Sequence, residues 1–433
     1  MKTPIFDFVR EYAESGVSRF HMPGHKGKSY LGIEKYDITE ISGADVLYSA
    51  SGIIEESENN ATSLFKTAHT YYSTEGSTLA IKAMLALAVG DRVHRAQPTV
   101  LAARNVHKAF VNAAALLDIS VEWLYPVSAS HLCECEITPD AVAAAINKMP
   151  EIPCAVYITS PDYLGNIADI KGIAAVSDSF NIPLLVDNAH GAYLAYLTPA
   201  KHPIALGAAM CADSAHKTLP ALTGGAYLHI SKKYAHLCES ARSALSVFAS
   251  TSPSYLTLAS LDLCNRYISD GYPERLAECI KKVDAIKHKH RLNKSAEPLK
   301  IVVNAPIAEA LRERGIECEF SDDEYTVLMV TPENTDGDLE RLDAALTEIL
   351  RVTEKTKKEA ISLPIAKRAI SIRKAIFSPH ELVDTSNSVG RILGTPTVSC
   401  PPAIPIAVSG EVITDEHVAL FKRYGIKTVE VVK

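Results

Sequence analysis

A chain of 433 residues with 47% hydrophobic content is long enough for two or three domains around a substantial core, and that composition excludes a disordered polymer. Lys and Arg number 44 against 51 Asp and Glu, a formal charge of -7, and no basic run of the kind that tracks a phosphate backbone is present. Nucleic acid is therefore not expected as a partner.

The start, Met1-Lys2-Thr3-Pro4-Ile5-Phe6-Asp7, has no signal-peptide apolar region, and no stretch approaches the length that crosses a bilayer, so the expectation is a cytoplasmic protein with no membrane partner. Nine cysteines are scattered without a C-x-x-C framework, and an odd count argues against a secreted disulfide scaffold. Cys133 and Cys135 lie closest together but lack further ligands at metal spacing, and no metal site is expected.

From residue 60 to about 250, short β-branched runs alternate with Ala- and Leu-rich segments, which predicts an α/β domain with a mostly parallel sheet covered on both faces. In chain order the pattern gives a helix over 77–89, a strand over 99–102, a helix over 106–117, a strand over 121–124 and a helix over 139–148. A strand over 154–158, a helix over 170–180, and strands over 183–187 and 225–229 follow. A charged helix over 273–294 marks a boundary, with Lys281, Lys282, Lys287 and Lys289 read as its solvated face. Beyond it, strands over 299–303 and 325–330 and helices over 308–314 and 335–352 predict a smaller α+β C-terminal domain, with a last unit from about 365 to 433. The expected division is an N-terminal arm, 1–45, a large domain, 46–270, and a C-terminal part, 271–433.

Four segments carry chemistry. Glu75-Gly76-Ser77-Thr78 opens an apolar helix, where backbone N–H groups and two hydroxyls can hold a phosphate, although simple N-capping by Ser77 or Thr78 explains the tetrapeptide as well. It lacks the G-x-x-x-x-G-K-[ST] pattern of nucleotide loops. Asp187 ends the apolar run Pro183-Leu184-Leu185-Val186, so its carboxylate sits at a strand's carboxyl end in poor solvent, where it needs a cationic partner or caps the following turn. Lys217 stands among Ser214, His216 and Thr218, ahead of Thr223-Gly224-Gly225, and His107 stands at a helix start, placed either to stack on a planar ring or to serve as a helix-terminal or core histidine. An amine to hold an aldehyde as an imine, a carboxylate to keep a ring nitrogen protonated and donors for a phosphate are what pyridoxal phosphate (PLP) requires.

The combination resembles the Orn/Lys/Arg decarboxylase family in its short form. The resemblance rests on Phe20-His21-Met22-Pro23-Gly24-His25-Lys26-Gly27, Tyr36-Asp37-Ile38-Thr39-Glu40-Ile41, Glu75 to Thr78, Arg104-Asn105-Val106-His107-Lys108 and Ser160-Pro161-Asp162-Tyr163-Leu164-Gly165. It continues through Val186-Asp187-Asn188-Ala189-His190-Gly191, Ser214 to Thr223, Ser252-Pro253-Ser254-Tyr255, Pro401-Pro402-Ala403-Ile404-Pro405 and Gly410-Glu411-Val412-Ile413, so it covers nearly the whole chain. It implies a PLP-dependent transferase fold of type I, the aspartate-aminotransferase-like architecture. It also implies a decarboxylase that converts arginine, lysine or ornithine to the amine and carbon dioxide. By the same resemblance Lys217 forms the imine, Asp187 pairs with the pyridine nitrogen, His107 stacks on the ring, Ala189 packs beneath it and His190 lies beside it. Gly76, Ser77, Thr78, Ser214 and His216 surround the phosphate, Ser252 arrives from a neighbouring subunit of a homodimer or higher even oligomer, and Lys217 or His216 protonates Cα. Departures fall at Glu75 (Asn in the family), Asp162 (Thr), Asn188 (Glu), Thr395 (near an acid), Cys400 (Tyr) and Ala403 (Gly). They leave two other readings open, an aminotransferase or other Cα-directed lyase of the same fold, and a PLP-binding protein without catalysis.

Overall fold

Short apolar runs make the central sheet of the computed structural model, which describes residues 1–91, 97–292, 296–353, 356, 360–396 and 403–433. Its strands are β1 (His69–Ser73), β2 (Thr99–Ala103), β3 (Ser120–Leu124), β4 (Ala155–Thr159), β5 (Leu184–Asp187), β6 (Met210–Asp213) and β7 (Ala226–Ile230), in the order β1-β7-β6-β5-β4-β2-β3. β2 runs parallel to β3 and β4, β5 runs parallel to β6, and β7 is antiparallel to both β6 and β1. All of β5, β6 and β7 is buried, the near-continuous burial of strands covered on both faces. This is the mixed α/β fold with a mostly parallel sheet that the alternating pattern predicts. The expectation omitted β1 and β6. His-Thr-Tyr-Tyr-Ser has strand-forming Thr and Tyr but no aliphatic run, and Met-Cys-Ala-Asp has no β-branched residue, so neither shows the β-branched aliphatic pattern on which the expectation rests.

Two compact units group the described residues, Met1–Asp91 with Leu185–Ala277 and Arg92–Leu184 with Glu278–Lys433. In the first, Asp262 of the helix Tyr255–Ser269 meets the start of the helix Pro4–Glu14. Its Oδ2 accepts the Ile5 and Phe6 N–H groups at 2.9 and 3.0 Å, donors that have no partner inside their own helix. Burial pushes the Asp262 carboxyl up to about 6, against these bonds and that from Ser57.

The second unit adds β8 (Lys300–Val303), β9 (Phe320–Ser321) and β10 (Thr326–Met329), ordered β8-β10-β9, and the pair β11 (His380–Asp384) and β12 (Thr428–Val432). Arg104, 1% exposed, donates to the carbonyls of Pro405 and Ile406 at 2.8 and 2.9 Å, which ties the motif after β2 to the C-terminal segment. The charged helix runs over Tyr272–Lys289. Lys281, Lys282 and Lys289 reach surface carboxylates as a solvated face does, but Lys287 corrects the expectation. It is buried, and its ammonium donates to the Pro298 carbonyl at 2.8 Å, because a buried polar group must find a partner and the incoming strand offers one. Lys294, Cys400, Pro401 and Pro402 lie outside the described residues.

Candidate active site

β5 delivers its carboxylate at the strand's carboxyl end. Asp187 is 3% exposed, and its Oδ1 accepts the Ala189 N–H at 3.2 Å. The next residue, Asn188, donates its backbone N–H to the Ala212 carbonyl at 2.9 Å and its side-chain amide to Asp213 Oδ1 at 2.7 Å. The turn after β5 is thereby bound to the end of β6. β6 ends at Asp213, and Ser214 and the single turn Ala215–Thr218 follow. That turn carries Lys217, half-buried, with Nζ 3.1 Å from His190 Nε2.

The helix Gly76–Gly90 begins beside this turn. Ser77 and Thr78 lie inside its first turn and do not cap it, and the N-cap position, Glu75, makes no side-chain cap bond. A helix start without a side-chain cap can turn its first-turn backbone N–H groups beyond Gly76 toward an anion. Gly76, at φ +72°, donates its N–H to the Gly224 carbonyl at 2.8 Å. Gly224 itself has φ +94°, and a Cβ there would stand 2.6 Å from the Thr74 carbonyl oxygen, so only glycine fits. Ser214 Oγ donates to Ser77 Oγ at 2.8 Å, joining the lysine turn to the helix start. His216 faces the Gly225 carbonyl through Nδ1 at 3.0 Å, and since a carbonyl only accepts, Nδ1 carries the proton. Ser250 donates its N–H to Glu75 Oε1 at 2.7 Å, which brings the segment with exposed Ser252 alongside Glu75 within the same chain.

Behind these turns lies a charged group that sequence reading missed. Asp213 Oδ2 accepts from His202 Nε2 at 2.9 Å and His229 Nε2 at 3.1 Å, and the three residues are at most 1% exposed. Burial raises the Asp213 carboxyl, but the two imidazoles overcome it and hold the group well below the usual carboxylate range. Burial in turn pulls His229 down, partly offset by Asp213.

In the second unit, His107 is the N-cap of the helix Lys108–Leu116, its Nδ1 accepting the Ala109 N–H at 3.1 Å. Asp162 follows β4 and accepts from Leu164 N, Asn166 N and Asn166 Nδ2 at 2.9, 2.9 and 2.7 Å. Burial nevertheless pushes its carboxyl up to about 6. Together with Asn105, Glu134, Glu136 and Thr159 it lines a cavity of about 530 Å³, in which Asn105 Oδ1 and Thr159 Oγ1 are buried acceptors without a hydrogen-bond partner. Such a lining suits a cationic group. Ala403 stands at φ +57°, a left-handed conformation that favours the glycine it replaces, and accepts the Lys108 N–H at 3.0 Å. Thr395 donates to Glu430 Oε2 at 2.8 Å.

The residues present fit PLP. One unit holds an amine beside an imidazole that can take its proton, a buried carboxylate at a strand end, and an uncapped helix N-terminus with two serine hydroxyls.

A sequence model of the family described as Orn/Lys/Arg decarboxylase, major domain, matches residues 3–311. An arginine decarboxylase of Bacillus subtilis (strain 168) is 27% identical over 469 residues, covering 97% of this chain and 93% of the relative. An arginine decarboxylase of Bacillus anthracis is 28% identical over 471 residues, covering 98% and 93%. Among solved structures, the Francisella novicida lysine decarboxylase LdcF superposes with a TM-score of 0.83 at 17% identity, over 100% of this chain and 81% of that one. The constitutive lysine decarboxylase of E. coli gives 0.74 at 18% identity, over 100% and 82%. At these identities the structural likeness establishes the fold.

Proposed function

Because the chain belongs to the Orn/Lys/Arg decarboxylase family, whose enzymes work with PLP, we propose that it removes the α-carboxyl group of a basic amino acid, arginine ahead of lysine and ornithine. The observation that carries the reading is the Lys217 amine held 3.1 Å from His190 Nε2, one bonded turn away from buried Asp187. Arginine is favoured by the names of relatives that align over nearly the whole chain.

When bound, PLP supplies an aldehyde for the amine and a cationic ring that takes up the electron pair left by carbon dioxide. Lys217 is assigned the covalent attachment, and His190 accepts the ammonium proton at Nε2, which leaves the amine nucleophilic. Asp187, kept from water, holds the ring nitrogen's proton. Gly76, Ser77, Thr78, Ser214 and His216 are assigned to the phosphate, Ala189 and His107 to the two faces of the ring, and Ser252 to the site of a neighbouring subunit. Lys217 or His216 returns a proton to Cα.

The assembly we propose is a cytoplasmic homodimer or higher even oligomer. Its support is the exposed apolar run on the 1–45 arm, with Phe20 95%, Leu31 86%, Tyr30 79% and Met22 66% exposed, which a second copy would cover. The eight described cysteines are all free, as a reducing compartment requires. The test incubates PLP-loaded protein separately with arginine, lysine and ornithine, without keto acid, and measures carbon dioxide and amine. Many turnovers with arginine are expected. Conversion of one equivalent to the pyridoxamine form would replace the reading with transamination, and no response to any of the three would remove it.

A further inference from the structure

We propose that His202, Cys211, Asp213 and His229 bind one zinc ion in the first unit, a site that serves structure and is separate from the reaction. The four side chains come from three segments, the 3-10 turn at Pro203–Leu206, β6 and β7, and all are at most 1% exposed. One ligating atom from each lies within 4.8 Å of every other.

The measured edges are 2.9 Å from His202 Nε2 to Asp213 Oδ2 and 3.1 Å from His229 Nε2 to the same oxygen. Cys211 Sγ lies 3.8 Å from His202 Nε2, and it lies 3.8 Å from the other oxygen of the same carboxylate, Asp213 Oδ1. A tetrahedron around zinc with bonds of about 2.0–2.3 Å has edges of roughly 3.3–3.8 Å, so small side-chain shifts convert one arrangement into the other. The ring planes of His202 and His229 stand 90° apart, and both Nε2 atoms are directed at Asp213 Oδ2.

Chemistry agrees with geometry. Two imidazoles, a thiolate and a carboxylate form a nitrogen, sulfur and oxygen set for zinc, and four protein ligands close the site to substrate. On binding, the thiol proton and any imidazolium proton leave to solvent, a neutral imidazole protonated at Nε2 takes its proton on Nδ1 instead, and one thiolate with one carboxylate balances the dication. Outer partners already orient the ligands. His229 Nδ1 meets Thr70 Oγ1 at 2.9 Å, Asp213 Oδ1 accepts from Asn188 at 2.7 Å, and the Phe65 ring lies 4.5 Å from the His229 ring and 5.6 Å from that of His202. Two imidazoles sharing a carboxylate would explain three members of the group but not the thiol beside them. The inference does not depend on the substrate or on PLP.

The test takes PLP-loaded full-length protein, purified without chelators from zinc-supplemented cells, and measures its metal by mass spectrometry. About one zinc per chain is expected. Exchange for cobalt should give an intense thiolate-to-cobalt absorption band that His288→Ala, an exposed control, retains and Cys211→Ala loses. Protein that holds no zinc and takes up no cobalt would overturn the proposal, as would a band that survives Cys211→Ala. Should that variant fail to fold, X-ray absorption on the wild-type zinc protein decides: one sulfur with three nitrogen or oxygen neighbours supports the site, and a sulfur-free shell rejects it.

Discussion

Two aspartates that end or follow strands of the sheet, Asp213 after β6 and Asp162 after β4, are both buried and both hydrogen-bonded, yet burial prevails in one and not in the other. Asp213 faces two imidazoles and is held well below the ordinary carboxylate range, whereas the Asp162 carboxylate accepts from amide donors, the nearby Lys300 ammonium giving its bonds to the Asp162 main-chain carbonyl and to Glu297, and it rises to about 6. The difference shows what a buried carboxylate needs in order to stay ionised: neutral donors satisfy its lone pairs, but a partner able to carry positive charge decides its charge. The turns after β5 and β6, which carry Asp187 and Lys217, belong with Asp213 in the first unit, where charge is retained. The turn at Asp162 is a hydrogen-bonded fold element whose charge is expendable.

The largest expected effect lies at the lysine. Lys217→Ala should abolish covalent attachment of PLP and reduce turnover below detection while leaving loosely held cofactor, because Lys217 is the single lysine in the turn sequence Ser214 to Thr218. Borohydride reduction followed by peptide mapping checks this, and a cofactor label still fixed to the chain of the variant would contradict the assignment.

Next comes Asp213→Asn. The amide keeps one acceptor but cannot balance protonated imidazole or hold a cation, and removing one partner of a buried charged group costs on the order of 3–5 kcal/mol. Urea unfolding should show a loss of that size, and a change below about 1 kcal/mol would mean the group is uncharged. Asp187→Asn should be milder for stability and severe for rate. PLP should still bind covalently, while turnover falls on the order of 10²-fold or more, since an amide does not hold the ring nitrogen's proton. Turnover within a factor of two of wild type would reject its role.

Legibility followed locality. The helix Pro139–Lys148 matches the expected bounds because Thr138 caps it and Pro139 fixes its first turn, and Asp336–Val352 follows a Thr335/Asp338 capping box, both visible within four residues. Asp187 and Lys217 can be singled out as candidates because each stands beside a local pattern, an apolar run or a cluster of hydroxyls. His202, Asp213 and His229 had no such pattern. They converge from three segments, on a strand, β6, whose Met-Cys-Ala-Asp sequence hid it. Lys287 was misassigned for the complementary reason, since a charged helix gives no sign of which lysine a neighbouring strand will draw inward.

The smallest effect sharpens the comparison from the other side. Asp162 has its carboxyl raised from 3.8 to about 6, so the folded state binds its proton more tightly than the unfolded chain does. Its contribution to stability is therefore fully present below about pH 4 and is lost as the pH rises through about 6, the opposite of an acid held ionised. Asp162→Asn removes this titration. The amide oxygen can still accept from Leu164 and Asn166, and only the Asn166 side-chain donor loses its acceptor, a cost of about 1 kcal/mol. At pH 7 the loss of a buried charge offsets that cost, so unfolding curves for variant and wild type should nearly coincide there. As the pH falls to about 4 the wild type should gain on the variant by on the order of 2–3 kcal/mol, the free energy of a shift of about two pKa units, with roughly half of that gain reached at pH 5. Parallel pH profiles of the two proteins between pH 4 and 7 would show that Asp162 is ionised in the fold and that amide donors alone suffice to keep a buried carboxylate charged.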